Sequence, residues 1–341
     1  MKTKVKKTYN ILLRILILAA TYGFLYKKIF SGKDWQQQLT LFKELIEKSG
    51  IKSQLLIVVL LMLVNWGLES QKWRFMIAKI ERISFLRSLQ AIFAGSSISF
   101  FTPNRTGDYI GRVFILDKAS HVNGILITIL GSMSQLLITI LIGTLSALVF
   151  ISKFLGTGLF FSGYGFIGIV CFIILLDLLL IILLVNIRFV SVLRDKLFRL
   201  GLKRFRKHMA VFSLFRPGDM VYVIGMSLLR YIVFTGQFLL LLRIFSVPVP
   251  LFNGIIIISL VFFVLSIVPT VTLTELGVRD SAAVYFFGIG LASSKGMPDT
   301  ILLGILSAST LLWIINLAIP AVIGTLFVFR LNFFRKNPHV V

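Results

Sequence analysis

The stretch "FFTPNRTGDYIGRVF", residues 100–114, gathers Pro103, Asn104, Arg105, Thr106, Gly107, Asp108 and Arg112 between apolar flanks. A second stretch, "VPTVTLTELGVRD" at 268–280, repeats the ingredients with Pro269, Thr270, Thr272, Thr274, Glu275, Gly277, Arg279 and Asp280. A guanidinium presents a planar fork of donors that fits phosphate oxygens two at a time. A helix that starts just after a break adds backbone N–H groups and a positive dipole end, an arrangement that favours anions. The pattern points to phosphate binding, with Arg105, Arg112, Arg279, Thr270, Thr272 and Thr274 as ligands. Asp108, Glu275 and Asp280 would tune the arginines or meet a cationic group. Pro103, Gly107, Pro269 and Gly277 would shape the turns, because proline lacks an N–H and disfavours helix before it, and glycine permits sharp bends. A plainer reading stands beside this one. Asp108–Arg112 and Glu275–Arg279 are each spaced i,i+4, as in helix-face ion pairs that neutralise one another.

The elements that position these residues lie in an apolar chain. Of 341 residues, 57% are hydrophobic and 14% charged, against about 25% charged in soluble domains. Runs of roughly 20 apolar residues match the thickness of a bilayer core. The runs are continuous rather than alternating, so nothing suggests a β-barrel. The fold class is therefore an all-α polytopic membrane protein, with full spans expected at 9–29, 54–74, 122–150, 163–187, 220–243 and 300–329. Lysine and arginine number 36 against 13 acidic residues, a net charge of +23. In a soluble protein that excess would suggest nucleic acid; here it follows the positive-inside rule, and no nucleic-acid partner is expected. With the N-terminus cytoplasmic, the basic clusters at 2–7, 72–87, 188–216 and 330–336 all fall on the cytoplasmic side, and 30–53 falls outside. The basic N-terminus and the apolar run after it read as an uncleaved first span in a cell membrane.

That count requires segments 86–118 and about 250–295 not to change sides. In the first, the apolar arms on either side of Pro103–Gly107 are about 13 and 8 residues long, short for a crossing. Both segments are read as re-entrant or broken-helix hairpins, the second also being long enough for two crossings. The units 54–150 and 220–329 then share one plan, span–hairpin–span, in opposite orientations within a single membrane domain, with 188–219 as a basic cytoplasmic loop. Inverted repeats with broken helices are a transporter plan.

Polar residues inside spans have their own readings. Asp177 and Arg230 lie at similar depth, roughly 15 Å from the cytoplasmic end, and are expected to form a structural ion pair. Glu69 is expected to pair with Lys72 or Arg74 at the interface, Arg14 to snorkel, and Gln135, Gln237 and Asn316 to make interhelical hydrogen bonds. Cys171 has no partner for a disulfide. His121, His208 and His339 have no metal-ligand spacing, so neither metal nor cofactor is expected.

The two polar stretches also carry a family resemblance. "FFTPNRTGDYIGRVFIL" resembles the Pro-x-x-x-Gly-Glu/Asp…Arg stretch of the lysylphosphatidylglycerol synthase transmembrane-region family, also called flippase-like domain proteins. "VPTVTLTELGVRDSAAVYFFG" is similar to its second signature, a proline followed by Gly-Leu-Gly-Val-Arg-Glu. Asp108 stands where glutamate is usual, Glu275 replaces a glycine, and Asp280 replaces a glutamate. The resemblance implies a membrane domain that moves or presents phospholipid. Its partners would be anionic or zwitterionic phospholipid or a polyprenyl-phosphate lipid, and a separate enzyme. Full synthases carry a soluble aminoacyl-transferase domain, whereas this chain stops at Val341, so no synthase activity is expected of it. The leading reading is a flippase. The alternatives are a polyprenyl-phosphate-dependent glycosyltransferase and a non-transporting partner subunit.

The topology is open to a direct check. In a Cys171→Ala background, Thr40→Cys should react with an impermeant maleimide from outside intact cells, and Phe205→Cys only after permeabilisation. Equal labelling from outside at both positions would overturn the arrangement.

Overall fold

The computed structural model describes residues 40, 50–100, 102–155, 163–187, 209–270, 272–291 and 297–328. The expected first span at 9–29, most of the loop 30–53, Arg14, residues 188–208 of the basic loop and the C-terminal residues lie outside them. Among the described residues the helices are α1 (Ile51–Ile77), α2 (Phe85–Ser99), α3 (Thr106–Val113), α4 (His121–Phe150), α5 (Gly163–Val185), α6 (Pro217–Ile244), α7 (Leu251–Ile267), α8 (Thr272–Leu291), α9 (Asp299–Trp313) and α10 (Ile319–Val328), and none is in a strand. Stretches long and apolar enough to cross a bilayer are Ile51–Ile77, His121–Leu155, Gly165–Val185, Pro217–Ile244 and Asp299–Phe327. They coincide with the expected spans from the second to the last. The chain is an all-helical, multi-pass membrane protein.

Local chemistry sets several of the boundaries. Ser84 caps α2, its Oγ accepting the Arg87 N–H at 3.2 Å. Pro217 opens α6, where the Asp219 carboxylate accepts the Arg216 N–H at 2.8 Å. Pro269 stops α7 and leaves Val268 extended, as expected before a proline.

The helices divide into two compact units. The first comprises Met1–Ile125, Pro269–Leu276 and Thr310–Val341. In it α2 and α3 fold back on each other with backbone nearly touching backbone. A Cβ on Gly111 would stand 2.6 Å from Gly95 Cα, and one on Gly107 would stand 2.7 Å from Ile98 O. Only glycine permits such an approach. The base of this hairpin is tied shut. Arg87 donates to Ile115 O at 2.7 Å and pairs with Asp117. Glu81 accepts the N–H groups of Asp117, Lys118 and Ala119 at 3.0, 2.8 and 2.7 Å. Partial burial pushes the Glu81 carboxyl up, but these backbone donors outweigh it and hold the group below the usual carboxylate range. The start of α2 and the end of α3 therefore lie side by side, as a re-entrant hairpin requires. α10 seals the outer face of α2: Ser97 Oγ donates to Ala321 O at 2.5 Å. Phe100, Leu276, Trp313, Ala318 and Ala321 form the core beneath the break. Between α9 and α10 the helix widens into a π-turn, Ile314–Ala318, and buried Asn316 accepts from Asn65 Nδ2 at 3.4 Å, an interhelical bond of the expected kind.

The second unit comprises Leu126–Val268 and Gly277–Ser309. Here a Cβ on Gly290 would stand 2.5 Å from Ile257 Cδ1, so the end of α8 lies beside the first half of α7 and the second hairpin also folds back. Gln135 Nε2 donates to Ser227 O at 3.3 Å, joining α4 to α6. The ion pair expected of Asp177 and Arg230 does not form. Asp177 Oδ2 accepts from Thr144 Oγ1 at 2.9 Å, while Arg230 Nη1 faces Gln135 Oε1 at 3.5 Å. Similar depth along two helices does not set the direction in which each side chain points, and α4 supplies a partner to both. α5 turns Phe172, Leu175 and Ile182 outward, as suits a helix against lipid.

The close packing in the first unit yields a mutational contrast. A Cβ on Gly324 of α10 would fall 1.9 Å from Phe93 O, whereas one on Gly225 meets nothing within 4 Å. Gly324→Ala should lower the thermal midpoint in detergent, overpacking costing about 1–3 kcal/mol. Gly225→Ala should leave it unchanged or raised. Equal midpoints for the two variants would contradict the α2–α10 contact.

Candidate functional site at the clasped helix breaks

The first break follows from the chemistry of residues 99–107. Thr102 Oγ1 donates to Ser99 O at 3.2 Å and accepts the Gly107 N–H at 2.7 Å, so one hydroxyl bridges the end of α2 and the start of α3. Pro103 begins a short turn through Arg105. Asn104 and Arg105 are both left-handed, at φ 49° and 55°. Asparagine visits this region readily; arginine does so at a cost of order 1–3 kcal/mol, which the surroundings must offset.

What offsets it is the second break. Asn104 donates its N–H to Thr270 O at 2.9 Å, and the Thr270 N–H returns to Asn104 Oδ1 at 3.1 Å. Arg105 closes its fork on Glu275, with Nη2 at 2.7 and 2.6 Å from the two carboxylate oxygens and Nε at 3.2 Å from Oε2. All these residues belong to the first unit. The two polar stretches singled out in the sequence thus meet tip to tip. Glu275 is buried, but the Arg105 side chain remains 44% exposed, with Asn104, Thr106, Pro269 and Thr274 exposed beside it.

Arg112 has a different role from the one expected. Its Nε and Nη2 grip Asp108, the former at 2.8 Å, and its Nη1 donates to Glu69 Oε1 at 2.6 Å. Lys72 Nζ lies 2.8 Å from the other Glu69 oxygen. Arg112, Glu69 and Lys72 are all buried. Two cations and two carboxylates thus cancel inside the unit, and Arg112 faces carboxylates where a phosphate was expected. The i,i+4 spacing of Asp108 and Arg112 is used as an ion pair. Glu69 does pair with Lys72, as expected, but inside the protein and with Arg112 as its second partner. Arg279 is buried and Asp280 half-buried; with Gly277 they continue along α8 in the second unit. Thr272 is the first residue of α8.

The family model described as Lysylphosphatidylglycerol synthase TM region matches residues 11–317. The chain belongs to this family. No curated protein and no solved structure matches it. The matched range contains both breaks, so the clasp lies within the family's domain, that of an integral membrane, lipid-related protein.

Sequence reasoning missed Thr102 as a bridge, Asn104 as the partner of Thr270 and Glu69 as the partner of Arg112. Asn104 carried a signal, since asparagine beside proline and glycine marks a left-handed turn.

The buried quartet makes a sharp prediction. Arg112→Gln leaves three charges that do not cancel and should destabilise the protein strongly, the loss of one partner from a buried pair costing about 3–5 kcal/mol in soluble proteins. Adding Asp108→Asn leaves Glu69 and Lys72 paired alone and should recover much of the loss. Strictly additive losses, read from thermal unfolding in detergent, would contradict the network.

Proposed function

We propose that this chain is a flippase for a lipid with an anionic or zwitterionic phosphate head, and that the clasped breaks receive the head group. The observation that carries the reading is Arg105. It is an arginine at a break between helices, held by one carboxylate and still 44% exposed. A guanidinium in that state can take a phosphate in the same bidentate geometry. The exposed Thr106 opens α3 and the exposed Thr274 lies in the first turn of α8, where hydroxyls and backbone N–H groups favour an anion. Membership of a lipid-related family supports the same substrate class.

The wider plan belongs to the proposal. The protein would sit in the cell membrane with both ends cytoplasmic, act beside a separate enzyme that makes or uses its lipid, and be built from inverted units 54–150 and 220–329. Thr270 and Thr272 would contribute to the head-group site, with Pro103 and Pro269 shaping it.

The reading is tested in proteoliposomes containing fluorescent phosphatidylglycerol or phosphatidylcholine, by dithionite quenching. The purified chain should move at least one of them. Arg105→Gln should slow the movement about tenfold or more, a charge-assisted hydrogen bond being worth about 1.5–3 kcal/mol. Arg105→Lys should rescue it only in part, because an ammonium has no fork. Unchanged rates in Arg105→Gln would overturn the assignment.

A further inference from the structure

Glu275 stands where an anionic ligand would stand. Its two carboxylate oxygens meet the Arg105 fork at 2.6–3.2 Å, the geometry a phosphate would adopt on the same donors. We propose that Glu275 is an internal substitute for the lipid phosphate, and that head-group binding exchanges one anion for the other on Arg105 and thereby unlatches the two hairpin tips. This inference rests on the function proposed above and adds its gating.

Three observations lead to it. The first is the asymmetry of the pair: Glu275 is 8% exposed and Arg105 44% exposed, so an incoming anion reaches the arginine from the open side while the carboxylate remains within. The second is strain. Asn104 and Arg105 are consecutive left-handed residues, and such positions persist only when their surroundings hold them. The third is the tip pairing, Asn104 N–H to Thr270 O and Thr270 N–H to Asn104 Oδ1, which sits one residue from Arg105 and is held in register by the same clasp. Removing Glu275 from Arg105 takes away the side-chain half of that hold. It leaves two hydrogen bonds, one between backbones and one from the Thr270 N–H to the Asn104 side chain, on segments bounded by Pro103 and Pro269, to keep the tips together.

No bond is made or broken in the exchange. One carboxylate leaves the guanidinium and one phosphate arrives, so the arginine keeps an anionic partner throughout. The displaced carboxylate remains the cost of opening, so only an anion that binds Arg105 better than Glu275 does will drive the change. A lipid with no phosphate, such as diacylglycerol, should not open the latch.

The test uses the full chain with Cys171→Ala. Asn104→Cys with Thr270→Cys should form a disulfide under mild oxidation. The oxidised protein in phosphatidylglycerol vesicles should scramble lipid no faster than protein-free vesicles, and dithiothreitol should restore the rate of the reduced form. Separately, Glu275→Gln should tighten binding of short-chain phosphatidylglycerol severalfold, since an internal competitor lowers apparent affinity in proportion to the time it holds the site. The exchange is overturned if the disulfide does not form, if the oxidised protein scrambles at the reduced rate, or if Glu275→Gln binds the lipid no more tightly. Failure of the proposed function gives a different result: the reduced Cys171→Ala parent then moves neither phospholipid, whatever the binding arm shows.

Discussion

A helix broken inside a bilayer leaves N–H and C=O groups that lipid cannot bond, at a cost of several kcal/mol for each group left unsatisfied. This chain breaks its helices twice and makes each break satisfy the other. Asn104 and Thr270 exchange two hydrogen bonds, the Thr102 hydroxyl serves Ser99 and Gly107, and the Arg105 fork closes on Glu275. The surrounding packing follows from that constraint. The glycines of α2 and α3 allow the arms to fold back closely enough to present a tip. Phe100, Leu276 and Trp313 fill the space beneath.

Charge is handled in two different ways within the same unit. Where α1 meets the hairpin, Asp108, Arg112, Glu69 and Lys72 sum to zero, the last three buried and Asp108 half-buried. Burying such a group is tolerable only because each member has an opposite partner and further hydrogen bonds. At the tip, Arg105 is paired once and left open. The distinction bears on the proposed function, because an arginine already saturated by two carboxylates has little to offer a phosphate, and one held by a single carboxylate can exchange it. Two arginines of one short motif, seven residues apart, thus do different work.

The parts of the fold legible in sequence were those set by hydropathy and by backbone chemistry. Long apolar runs gave the spans, because bilayer thickness fixes their length. Pro103 and Pro269 marked the breaks, because the backbone limits of proline do not depend on context; Gly107, read as part of the turn, lies inside α3 and serves its close approach to Ile98 instead, the left-handed residues being Asn104 and Arg105. What remained hidden were side-chain partnerships across the chain. Arg105 and Glu275 are 170 residues apart, and Arg112 and Glu69 are 43 apart. Local spacing offered Glu275–Arg279 as a pair and gave no sign that Arg105 would reach the same carboxylate. Asp177 and Arg230 show the converse: matching depth suggested a pair, but Asp177 accepts from Thr144 and Arg230 faces Gln135, both on α4.

The central claim is that the Arg105 guanidinium meets a lipid phosphate. The direct measurement is nitrogen-15 to phosphorus-31 dipolar recoupling by solid-state NMR, on arginine-labelled protein in phosphatidylglycerol vesicles, with Arg105→Gln as the reference. Subtraction removes the arginines that merely border the head-group region. A guanidinium dephasing signal present in the native chain and missing from Arg105→Gln is the expected result. Identical dephasing in the two samples would place the phosphate elsewhere and contradict the account.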